Sequence, residues 1–235
     1  MLLFILYPSF AFAAGDKWSL KGNRAAIFAE LNANSEKFQC ASNCNNEIFN
    51  EYSQILSSGE KMVVITSSID PEQADCRGCA PELSLFIFGK TNNKWKRETA
   101  LMAFTRRGSW GEVGEESVAV EKLSSDQLGL FLEGGFIGQG YFNAVLELHL
   151  ITNGAMQMAL NYCTVANNIG VVGENSKDLE DWDSSYEILL QAGRLANIQV
   201  KLVDNVSGAK SISLFAYDGQ KYISAKGDPR LNECV

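Results

Sequence analysis

The spacing of apolar and polar residues divides this chain into three stretches. Residues 1–13, "MLLFILYPSFAFA", form one uncharged apolar run ending in Ala11-Phe12-Ala13. That is an h-region followed by an A-x-A cleavage signal, although no Lys or Arg precedes it. The run is too short to span a bilayer, and the polar "AGDKWSL" follows at once. The second stretch has helical spacing. In "NRAAIFAELN" (23–32), Ile27, Phe28 and Leu31 share one face. In "NEIFNEYSQILSS" (46–58), Ile48, Phe49, Tyr52, Ile55 and Leu56 do the same, and Gly59 stops the run.

From residue 62 onward the pattern is that of strands: "MVVITSSI", then "LSLFIFGK" and "KWKRETALMAF" around Thr91-Asn92-Asn93. In "LSLFIFGK", Leu83, Leu85 and Ile87 are placed on one face, with Phe86 and Phe88 on the other. "ESVAVEKL" and "LGLFLEGG" flank Ser124-Ser125-Asp126, and "YFNAVLELHLIT" and "AMQMALNYCTV" flank Asn153-Gly154. Asn-Gly between alternating runs is a strong short hairpin signal. "SYEILLQ", "NIQVKLVDN" and "SISLFAY" follow, and Asp218-Gly219 turns the chain into "QKYISA". "GVVGENSKDLED" (170–181) reads as a long loop.

Short strands separated by turn signals predict a mainly β (α+β) protein, an antiparallel β-sandwich or barrel-like meander with one or two N-terminal helices. The expected organisation is a signal peptide over 1–13, then a single β-rich domain over 14–235 whose helical part covers about 22–58. The mature product would begin at Ala14 and be periplasmic or secreted.

Charge narrows the list of partners. The chain carries 20 Lys+Arg against 28 Asp+Glu, a net −8 that removal of the uncharged leader leaves unchanged. Nucleic acid and anionic membrane surfaces need clustered cations, so neither is expected as a partner. No later segment has the length and continuity of a transmembrane helix. Arg106 and Arg107 are the only adjacent arginines. With Trp110 they make one candidate binding group, for a phosphate or carboxylate, against the ordinary reading as a solvated loop.

Six cysteines in an exported chain read as disulfides. Fifteen pairings are open; local proximity favours Cys40–Cys44 and Cys76–Cys79, which leaves Cys163–Cys234. The last closes a long loop and by chain entropy is worth roughly 4 kcal/mol, against roughly 2 for a Cys-x-x-Cys ring. Cys76 and Cys79 have two other readings. A redox pair needs a helix N-terminus to lower a thiol pKa, yet Ala80-Pro81-Glu82 leads into a strand. A zinc site of Cys40, Cys44, Cys76 and Cys79 has workable spacing, but thiolate zinc is rarer where disulfides form. A structural staple before a strand is the reading carried forward.

The remaining chemistry is sparse. The single histidine, His149, lies in an alternating strand and has no second His for a metal site. No G-x-S-x-G supplies a nucleophile. "GGFIGQG" (134–140) is flanked by strands, so it fits neither phosphate-binding fingerprint; bulges or close strand approach explain its glycines, with a ligand-facing loop as the alternative. "DLEDWDSSYE" gathers Asp178, Glu180, Asp181, Asp183 and Glu187 around Trp182. Asp181, Trp182 and Asp183 are the other candidate binding group, with paired carboxylates and an aromatic sugar platform as the sharp reading and a solvated acidic loop as the ordinary one. No EF-hand spacing is present, and no metal or cofactor is expected.

The Cys76-Arg77-Gly78-Cys79-Ala80-Pro81 stretch, followed by an aromatic-rich strand and Lys94-Trp95-Lys96, resembles a group of uncharacterised proteobacterial exported proteins. These carry Cys-x-x-Cys-Ala-Pro ahead of a β-hairpin with a central Trp. The likeness covers 61–100 and the C-terminal "YDGQKY"; it implies export and β structure and brings no activity. The expectation is therefore a non-catalytic exported binding module of the cell envelope, an inhibitor or neutraliser of a protein or a glycan binder. The alternative is a carboxylate-dependent hydrolase of envelope polysaccharide.

Overall fold

The computed structural model describes residues 50–55, 61–68, 76, 78–92, 94–108, 118–152 and 155–232. They form two antiparallel sheets. β1 (Asn50–Ile55), β2 (Lys61–Ser68), β3 (Glu82–Thr91) and β4 (Lys94–Arg106) make a four-stranded sheet in chain order. The eight-stranded sheet is a meander of β5 (Val118–Lys122), β6 (Leu128–Gly138), β7 (Tyr141–Thr152), β8 (Ala155–Asn167), β9 (Asp181–Gln191), β10 (Arg194–Asp204), β11 (Lys210–Tyr217) and β12 (Tyr222–Ser224). One helical turn, α1 (Ile169–Val172), and a 3-10 turn (Pro229–Asn232) complete it. Among the described residues no helix is long and apolar enough to cross a membrane.

The mainly β sandwich-like expectation holds, with one correction. Residues 50–55, expected on a helix, form β1, paired with β2 from Asn50–Ser67 to Ile55–Met62. Apolar residues three and four apart mark a helix only when nothing nearby offers a ladder; here β2 does. Gly59, read as a helix stop, lies outside the described residues. The expected helix over 23–32 lies outside the described residues.

Two cores follow from the side-chain alternation. Leu83, Leu85 and Ile87 of β3 join Val63 and Ile65 of β2 against Val118, Val120, Leu130, Leu132 and Ile151 of the large sheet. Phe86 and Phe88 lie on the other face of β3, as the alternation predicted, and are also buried. On β6, Leu130 and Leu132 face this core while Phe131 faces a second. A strand buried on both sides needs a continuous apolar run, which is what "LGLFL" is.

The second core exists because the large sheet folds over itself. β8 and β9 pair only through Val165–Asp183, Ala166–Trp182 and Asn167–Asp181. Beyond that contact β9 crosses to the far side, where Tyr186 stacks on Phe131 with ring centroids 4.7 Å apart. The Ala196 N–H donates to the Leu123 carbonyl at 2.8 Å, tying β10 to the end of β5. Enclosed between the two halves are Leu146, Leu148, Tyr162, Trp182, Ile198, Val200, Leu202 and Phe215.

Cys76 and Cys79 are bonded to each other. The Cys79 N–H donates to the Cys76 carbonyl at 3.0 Å, so the ring is a hydrogen-bonded turn that ends just before β3. Cys163 is also disulfide-bonded; Cys40, Cys44 and Cys234 lie outside the described residues. Replacing both Cys76 and Cys79 by Ser is expected to cost at most about 2 kcal/mol, because the closed loop is so short. Urea unfolding of the oxidised protein and the double variant measures this; a much larger loss means the ring does more than close a turn.

Candidate binding site at one end of the large sheet

The two predicted binding groups do not come together. Arg106 faces Glu82 across the β3–β4 ladder and donates to its Oε1 at 2.7 Å. Arg107 receives its position from the same strand start, its N–H donating to the Pro81 carbonyl at 3.2 Å. Its guanidinium reaches the large sheet and pairs with Glu147. Both arginines are thus engaged by protein carboxylates. Trp110 lies outside the described residues.

The Arg107 pair sits at the seam between the sheets. Glu147 and His149 lie opposite Leu132 and Leu130 on β7, so they share the face that meets the four-stranded sheet. His149 Nε2 is 2.9 Å from Glu147 Oε2, placed to donate to it. Gly134 makes room for Arg107: a Cβ there would lie 3.2 Å from Arg107 Cδ. The contact with His149, joined by Arg107, holds the Glu147 carboxyl below the usual carboxylate range against the opposing effect of burial. A depressed folded-state pKa stabilises above the unfolded pKa, and that contribution is lost as pH falls through the folded value. Glu147→Gln is therefore expected to destabilise by about 1.5–3 kcal/mol at pH 7, the range of a hydrogen bond to a charged group. The gap from wild type should narrow below about pH 4.5, the ordinary glutamate range. Urea titrations at several pH values check it; a gap that stays constant would sink the account.

The acidic stretch is part loop and part strand: Asp178 and Glu180 lie in the loop expected there, which ends at β9. Asp181, Trp182 and Asp183 begin β9, and their alternation sends Trp182 one way and the carboxylates the other. Trp182 is 3% exposed within the second core, so its ring has no free face to serve as a sugar platform. Asn205 Nδ2 donates to Asp181 Oδ1 at 3.2 Å and to Asp183 Oδ2 at 3.3 Å. Nearby, Arg230 bonds Asp204 at 2.9 Å and Asp228 through two nitrogens, at 3.0 and 2.9 Å. Asp228 also accepts from Ser211 Oγ at 2.7 Å, and these bonds, Arg230 foremost, push its carboxyl far down.

A surface not singled out from the sequence lies at this same end. The β6–β7 hairpin turns at Gln139 and Gly140, and α1 packs on the turn by glycine-to-glycine contact. A Cβ on Gly140 would lie 2.6 Å from the Gly170 carbonyl carbon, and one on Gly170 would lie 2.7 Å from Gly140 Cα. Close backbone approach, expected for the 134–140 glycines, is realised at Gly140. Ile137 (69%), Val171 (47%), Tyr141 and Ile169 are exposed there. Residues 134–146 and 165–173 carry no charge at all, in a chain that is 20% charged. Directly after α1 come Glu174, Asp178, Glu180, Asp181 and Asp183, with Lys177 as the only cation among them. The turn glycines were visible in the sequence; their joining to 169–171 was not, because the two segments meet only through strand pairing. Comparisons with protein-family models, with curated proteins and with solved structures give no match for this chain.

Proposed function

We propose that this is an exported, non-catalytic binding module whose partner is a cationic protein of the cell envelope, which it inhibits or neutralises. The observation that carries this reading is the apolar tip of Ile137, Tyr141, Ile169 and Val171 beside an acidic flank. Exposed apolar side chains with carboxylates on one side fit a partner that has an apolar recess with a basic rim. Electrostatic complementarity of that kind steers association and selects partners. An acidic net charge works in the same direction. The carboxylate-dependent hydrolase remains as a second reading because Asp181 and Asp183 bracket one amide, that of Asn205. Turnover of envelope polysaccharide by wild type, abolished by Asp181→Asn or Asp183→Asn, would replace the binding reading.

The direct test uses immobilised mature protein and envelope extract, with captured proteins identified by mass spectrometry. The expected partner is basic, elutes as salt rises, and is lost to the double variant Ile137→Asp, Val171→Asp. Leu214→Asp, on the exposed face of β11, should retain it. Capture of acidic proteins, or capture unaffected by the tip variant, overturns the proposal.

A further inference from the structure

The outer face of the C-terminal strands carries an apolar stripe that no core uses. Along β11, Ser213 and Phe215 turn inward and are buried, so Ile212, Leu214 and Ala216 turn outward. Ile212 is 63% exposed, and Leu214 is exposed beside it. Ile223 of β12 lies opposite Ala216 and is exposed as well, which carries the stripe onto the edge strand. On β10 the facing residues are polar: Lys201 opposite Ile212 and Gln199 opposite Leu214. β12 pairs only with Phe215–Tyr217, so among the described residues no strand continues the sheet beyond Lys210–Leu214.

The charge here is opposite to that of the chain. Residues 194–230 hold six Lys and Arg against three Asp and no Glu, a net +3 within a chain of net −8. Arg230 engages two of those carboxylates, Asp204 and Asp228. Lys201 pairs with Glu187 at 3.0 Å along one border of the stripe. Lys210, at one end of it, and Lys226, just past β12, are exposed and in no ion pair among the described residues.

An exposed apolar stripe with a basic border is a docking surface, and its charge selects an acidic occupant with apolar side chains of its own. This chain displays such an occupant. Its tip sets Ile137, Tyr141, Ile169 and Val171 beside Glu174, Asp178 and Glu180, all of them exposed. Residues 165–183 hold five carboxylates against one lysine, a net −4. We infer that the stripe receives the tip of a second copy of this chain, apolar side chains together and carboxylates against Lys210 and Lys226. The inference rests on the tip reading above, since one tip serves both: a docked copy and the cationic envelope partner exclude each other. The contact joins two different surfaces, so it closes into a dimer only where both tips reach, and otherwise repeats as an open chain.

Sedimentation velocity of the full mature protein tests this over about 1 µM to 1 mM, the range of weak contacts. Salt of about 0.15 M screens the repulsion between whole copies of like net charge. Wild type is expected to shift from monomer to larger species as concentration rises. Leu214→Asp spoils the stripe and leaves the tip; the double variant Ile137→Asp, Val171→Asp does the reverse. These positions are exposed, so the fold should survive, which circular dichroism checks; Ile212→Asp is the second stripe variant. Each variant alone should associate at least about tenfold more weakly than wild type. An equimolar mixture of stripe and tip variants should associate again, because one brings an intact tip and the other an intact stripe. Wild type monomeric throughout, either variant associating as wild type does, or a mixture no better than its parts overturns the proposal. Self-association with this pattern but no capture of a basic envelope protein would leave the contact standing and reject the function proposed above. Capture without self-association would do the opposite.

Discussion

Trp182→Ala is expected to cost about 3–5 kcal/mol of folding stability, the range for truncating a buried tryptophan. Trp182 is nearly inaccessible and sits where β8 hands over to β9, the one contact that lets the large sheet fold back on itself. Removing the indole leaves a void bounded by two layers that are held apart by other side chains, so collapse into it is limited. Asp183→Asn next to it should change stability by less than about 1 kcal/mol, since that side chain points away from the core. Urea unfolding followed by circular dichroism separates the two. A Trp182→Ala loss under about 1 kcal/mol would contradict its place in the core and restore it as a surface platform.

Gly140→Ala should cost about 2–5 kcal/mol and detach the tip from α1. Two effects add. Gly140 has φ +85°, a left-handed conformation in which an L side chain costs about 1–2 kcal/mol. The new Cβ would also lie 2.6–2.9 Å from backbone atoms of Gly170 and Val171, which cannot rotate aside as a side chain would. Forcing such a contact costs about 1–3 kcal/mol. Gly173 is the control: its φ is +81°, but a Cβ there meets nothing within 4 Å. Gly173→Ala should therefore show the first cost alone. Equal losses for the two variants would mean that the glycine contact does not hold the tip.

The local period of side chains was enough to place the hairpins. Asn153-Gly154, Ser124-Ser125-Asp126 and Asn92-Asn93 all fall between adjacent paired strands, with Thr91 the last residue of β3. A tight antiparallel connection is decided by residues next to one another, so its signal is in the sequence. The same holds for the split of β3 into two faces and for the unbroken apolar run of β6. The alternation in "DWDSSYE" was also there to be read as a strand; the density of its carboxylates drew the reading toward a loop instead. β1 is different. Tyr52, Ile55 and Leu56 satisfy helical spacing, and only the presence of β2 turns residues 50–55 into a strand.

The candidate site lay further from view. Arg107 meets Glu147, Thr164 meets Glu133, and Gly140 meets Gly170, each across a separation that no periodicity spans. Composition and alternation determined that this chain builds antiparallel sheets with acidic and apolar residues at their ends. Which carboxylate meets an arginine, which meets a hydroxyl and which glycines touch was decided by how distant strands come together, because burial and charge pairing depend on what arrives from the distant chain.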